Sequence, residues 1–86
     1  MTRQAASRAQ LNLLAALREK PDGRPLSDAL HYGTTATLRA CVRRNWAVMA
    51  AHGSTVLLTF AGWLVLERAI HDEHRARLHA TTGSQS

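Results

Sequence analysis

Between residues 4 and 19, apolar side chains recur at three- and four-residue intervals (Ala6, Ala9, Leu13, Ala16, Leu17), while Arg8 and Arg18 fall off that stripe. The period predicts a first amphipathic helix over 4–19. Lys20-Pro21-Asp22-Gly23-Arg24-Pro25 stops it, because two prolines and a glycine within six residues favour a turn. A short second helix is expected from Leu26 to Tyr32, burying Leu26, Ala29 and Leu30. Gly33 then stands where a helix-ending residue of positive φ is expected.

Thr34 or Thr35 can cap a third helix through its hydroxyl. On that helix Leu38, Cys41 and Val42 share one face. Ala36, Arg39, Ala40 and Arg43 lie opposite, with Thr37 and Arg44 on the flank. Asn45 suits a left-handed stop, and Trp46 returns to the core. Two short extended runs, Trp46–Ala50 and Thr55–Thr59, flank the turn His52-Gly53-Ser54 and predict a hairpin. Thr59 can cap a fourth helix over 60–80, and 81–86 is a polar tail expected to be disordered. The expectation is one mainly α domain with a small β-hairpin (α+β) over residues 1–80, in the order α-α-α-β-β-α.

Charge sharpens this picture. The 86 residues carry a formal charge of +5. Residues 1–44 hold eight basic and three acidic groups, whereas 45–86 hold three of each. A one-sided positive half suits a polyanionic partner, nucleic acid or an anionic membrane surface. The single cysteine, Cys41, excludes an internal disulfide and a multi-cysteine zinc site, and fits a reducing, cytoplasmic setting. The apolar run Leu11–Leu17 contains Asn12 and passes directly into Arg18-Glu19-Lys20, so it does not read as a signal peptide.

The element order, together with Leu58-Thr59-Phe60-Ala61-Gly62 and the Asn45-Trp46 step, resembles the winged helix-turn-helix superfamily, in particular small MarR-like bacterial and phage regulators. The resemblance covers roughly residues 8–70. It implies sequence-specific binding of double-stranded DNA by a transcriptional regulator, a repressor in the first instance, with the helix around Thr35–Arg44 in the major groove. Two departures stand out: Trp63 follows Gly62 where the family often has a basic residue, and the hairpin holds no Lys or Arg. Such a wing is either vestigial or limited to contacts through His52, Ser54 and backbone N–H groups.

A groove-reading helix needs small residues for close approach and long donors that reach base edges. Ala36 and Ala40 supply the first and Arg39 and Arg43 the second, one turn apart and each able to pair bidentately with guanine. Thr35, Thr37 and Arg44 are placed for phosphates, with Arg24 and Arg3 or Arg8 as further phosphate contacts. The bland alternative is a solvated basic face. On the fourth helix, Trp63, Leu66, Ile70, His74 and Leu78 form a stripe suited to a homodimer interface; a charged helix end steadied by Glu73 and Arg77 is the alternative.

Other classes find less support. His71, His74 and His79 are loosely spaced and lack thiolate companions, so no metal or other cofactor is expected. No glycine-rich phosphate loop or acid–base pair is present, Cys41 falls on the buried face, and neither an enzyme nor a small-molecule effector is expected. The main rival is a membrane span over 45–66, a stretch without charge between Arg43-Arg44 and Glu67-Arg68. His52-Gly53-Ser54-Thr55 at its centre argues against it, because polar groups at mid-bilayer are costly. A third reading is a winged helix that binds protein, favoured by an uncharged wing with Val48, Met49, Val56 and Leu57 partly exposed.

Overall fold

The structure, a computed structural model, describes residues 6–85, with side chains through Leu78. It is a small α+β domain of four helices and a three-stranded antiparallel sheet. The elements are α1 (Arg8–Arg18), β1 (Arg24–Pro25), α2 (Leu26–Ala29), α3 (Thr35–Arg43), β2 (Ala47–Ala50), β3 (Thr55–Leu58) and α4 (Phe60–Gln85). The expectation for Arg3 and the first residues of the leading helix lies outside the described residues. The backbone of α4 continues past Ala80 into the stretch read as a disordered tail.

α1 begins at Arg8 because Ser7 and Gln10 form a reciprocal capping box, the Ser7 hydroxyl accepting from Gln10 N at 3.1 Å. Its apolar stripe delivers Leu13, Leu14 and Leu17, all fully buried, to the centre of the core. Ala29, Leu38, Cys41, Ala47, Val56 and Leu66 pack around them. Trp46 packs against this cluster as expected.

The third strand is a correction to the expected order. Arg24–Pro25 is not only a turn: it pairs with β3, Arg24 opposite Val56 and Pro25 opposite Thr55, so the sheet order is β1-β3-β2. Proline is tolerated there because β1 is an edge strand. Val56, expected to be partly exposed, is fully buried at the centre of the sheet, while Val48 on β2 points outward at 46% exposure. Segment 45–66, the candidate span, is therefore hairpin plus the start of α4. Among the described residues no helix is long and apolar enough to cross a membrane.

Two further expectations change. α2 closes after Ala29, and Gly33 does not adopt positive φ. The position is close-packed instead: a Cβ would lie 3.3 Å from Thr37 Cγ2, a tight contact, and 3.5 Å from Leu13 Cβ, an ordinary one, where the α2–α3 turn crosses α1. Arg24, expected on a phosphate, is buried at 5% exposure. Its Nε donates to the Ala16 carbonyl at 2.7 Å, Nη1 to Asp28, and Nη2 to Glu19 Oε1 at 3.4 Å. The guanidinium also lies 4.6 Å from the centre of the Tyr32 ring. The hydrogen bond to Asp28 raises its pKa above the ordinary value, against the opposing effect of burial.

Arg24 thus ties the end of α1 to α2 and the sheet edge. Replacing it by methionine keeps the buried stem but strands the Ala16 carbonyl and the Asp28 carboxylate. Arg24→Met is expected to lower the thermal midpoint by roughly 10 °C in circular-dichroism melts. Arg24→Lys should recover little of it, since an ammonium cannot reach three divergent acceptors as a planar fork does. A midpoint within about 2 °C of wild type for Arg24→Met would refute the tie.

Candidate nucleic-acid interface

α3 is held by its apolar face. Leu38 and Cys41 are buried and Val42 packs at their edge. Burial pushes the Cys41 thiol above its ordinary pKa, with the charge of Arg44 pulling the other way, which suits a packing residue rather than a nucleophile. Thr34 caps the helix in extended backbone, its hydroxyl accepting from Thr37 N at 3.1 Å. Asn45 ends the helix with φ +64°, the left-handed stop that its short polar side chain tolerates.

With that face buried, the opposite one is fixed toward solvent. Thr35, Ala36, Arg39 and Arg43 are exposed, and Ala40 is half-buried beside them. Arg39 and Arg43 have no ion pair among the described residues. The other two proposed contacts are less available. The Thr37 hydroxyl lies 3.0 Å from that of Thr34 inside the cap. Arg44 is half-buried with its guanidinium 4.6 Å from the centre of the Trp46 ring, a cation–π contact at the start of the hairpin.

The electrostatic setting is one-sided. From Ala29 to Leu66 the only charged residues are Arg39, Arg43 and Arg44. Four acidic groups are committed elsewhere: Glu19 and Asp28 to Arg24, Glu67 to Arg18 at 2.6 Å, and Glu73 to Arg77 at 3.2 Å. Two like charges at i,i+4 repel by about 0.2–0.5 kcal/mol in an isolated helix, a cost that an anion laid between them would remove. The C-terminal position of Arg43 offsets part of this through the helix dipole.

Beside α3, the hairpin closes through Ala51, His52 and Gly53, all at positive φ (53°, 57° and 85°). Ser54 Oγ donates to the Ala51 carbonyl at 2.7 Å and fixes this tight turn. His52 is exposed at the tip.

On α4, the stripe named from the sequence divides. Leu66 is 3% exposed and belongs to the domain's own core, which corrects its assignment to an interface. Trp63, Ile70, His74 and Leu78 are exposed. Phe60, which sequence reasoning passed over, is the most exposed large apolar side chain among the described residues at 74%, stacked on Trp63 with ring centres 6.2 Å apart. Its position directly after the capping Thr59, outside the buried stripe, was the available signal. Comparison with family models, with curated proteins and with solved structures gives no match.

Proposed function

We propose that this protein is a winged helix-turn-helix regulator that binds double-stranded DNA, with α2 and α3 as the helix-turn-helix and β2–β3 as the wing. The observation that carries this reading is the exposed face of α3. Arg39 and Arg43 stand there one turn apart, with no ion pair among the described residues, beside the small side chains of Ala36 and Ala40 and far along the chain from any acidic residue. Alanines let the helix backbone sit deep in a groove, and two arginines at that spacing can each address a guanine edge. Thr35 at the helix start is the phosphate contact, while Arg44 is shared between Trp46 and the backbone of the duplex. The wing, lacking Lys and Arg, adds only His52, Ser54 and main-chain N–H groups, so most of the affinity rests on α3.

The uncharged hairpin and the outward Val48 favour a second reading, in which the same fold docks on a protein. Fluorescence anisotropy with mixed-sequence duplex of about 30 base pairs separates the two. Wild type is expected to bind at 50 mM salt and to weaken with a log–log salt slope of about −3 or steeper, at roughly −0.9 per phosphate neutralised. Absence of binding at that salt would remove the DNA reading and leave the protein partner.

A further inference from the structure

The outward face of α3 carries an ordered alternation. Along the axis Ala36, Arg39, Ala40 and Arg43 follow one another short, long, short, long, all within about 100° of one another around the helix. Ala36, Arg39 and Arg43 are exposed, and Ala40 is half-buried at the edge of the face. Neither arginine has an ion pair among the described residues. The helix contains no Asn, Gln, Asp or Glu, the side chains that address adenine and cytosine in the major groove. The Thr37 hydroxyl is engaged with that of Thr34 at 3.0 Å.

Resting on the reading of α3 as the groove helix, we infer the base pattern it selects: two guanines one or two base steps apart, counted on either strand, with a thymine beside the guanine read by Arg39. The two arginines leave the helix about 6 Å apart along its axis, at roughly 1.5 Å per residue. Side chains on a helix lean toward its N-terminus, so both guanidinium groups shift the same way and keep that spacing. At about 3.4 Å per base step, such a spacing spans no more than two steps. An alanine touches a base only through apolar contact, and the apolar group that bases present in the major groove is the thymine methyl. Ala36 lies almost one turn N-terminal to Arg39, level with the place to which that arginine leans. The thymine methyl under Ala36 therefore sits beside the same guanine.

The test takes the tightest duplex that wild type selects from a randomised pool and exchanges single bases for analogues, with binding read by fluorescence anisotropy. 7-Deazaguanine, which lacks the N7 acceptor, should weaken binding at least about fivefold at each of the two guanines, the lower end for a bidentate pair. Uracil, which is thymine without its methyl, should weaken it about fourfold at the neighbouring thymine, as for one methyl group withdrawn from apolar contact. Single variants assign the contacts. With Arg39→Ala one guanine becomes indifferent to 7-deazaguanine, with Arg43→Ala the other, and with Ala36→Gly the thymine becomes indifferent to uracil. The wild-type series decides the inference even where glycine weakens the helix. No duplex bound at about 50 mM salt removes the DNA reading itself. A bound duplex on which every analogue stays within about twofold of the unmodified base leaves the DNA reading standing and overturns this inference alone. Selected guanines more than two steps apart do the same.

Discussion

Arg39→Ala/Arg43→Ala is expected to lose at least about thirtyfold in affinity for the tightest duplex selected by wild type from a randomised pool. A bidentate arginine–guanine contact contributes about 1–3 kcal/mol of discrimination, so two of them account for that loss without any change in the fold. The fold has no stake in either side chain. Both are exposed and outside every ion pair among the described residues, alanine is the better helix former, and the substitution removes a like-charge pair one turn apart. The thermal midpoint should therefore hold or rise slightly. Arg68→Ala/Arg75→Ala is the matched control, deleting the same charge from exposed positions on α4. It should cost less than about tenfold at 100 mM salt, as expected for long-range charge alone. Equal losses in the two double variants would show that binding follows net charge, and α3 would lose its assignment as the reading element.

The parts of this site that could be read in the sequence are those governed by neighbours in the chain. The Thr34 cap, the positive-φ stop at Asn45, the hairpin and the Thr59 cap each depend on residues within three or four positions. Periodicity likewise placed Leu38 and Cys41 inward and Arg39 and Arg43 outward. What escaped was set by partners distant in the chain. β1 is two residues long, too short for any alternation, and exists only because Thr55–Val56 offers it a ladder. Arg24 looked like one more surface base until the fold gathered Ala16, Asp28, Glu19 and Tyr32 around it. Leu66 and Ile70 are four residues apart on one helix, yet only the seating of α4 against α1 decides that the first is core and the second surface. One miss was local: Ser7-Arg8-Ala9-Gln10 has the capping-box spacing that starts α1 at Arg8 and leaves Ala6 and Ser7 outside the helix.

The close seating that separates Leu66 from Ile70 rests on one position, and it yields the largest stability effect expected for this chain. Gly62 is buried in the first turn of α4, where a Cβ would lie 2.0 Å from the Trp46 carbonyl oxygen and 2.9 Å from Leu58 Cδ1. The first obstacle is backbone, and it is already engaged: Thr59 N donates to that same carbonyl at 3.1 Å. Thr59 Oγ1 in turn donates to the Asn45 carbonyl at 2.6 Å and accepts from Gly62 N at 3.0 Å. These bonds join the end of α3, the start of β2 and the cap of α4 at one point. A methyl group there must push α4 off by more than 1 Å, the shortfall from an ordinary van der Waals contact of about 3.5 Å, and so open the cap and the ladder entrance together. Gly62→Ala is expected to destabilise by about 3 kcal/mol or more, the upper end for overpacking, and to lower the thermal midpoint by over roughly 12 °C. Gly53→Ala supplies the comparison. Its φ of +85° carries a conformational cost of about 1–2 kcal/mol for a residue with a Cβ, and nothing lies within 4 Å of the added atom. In thermal melts Gly62→Ala should fall well below Gly53→Ala. The reverse order would mean that conformation and not contact makes glycine necessary, and that α4 does not press against Trp46 as closely as its hydrogen bonds require.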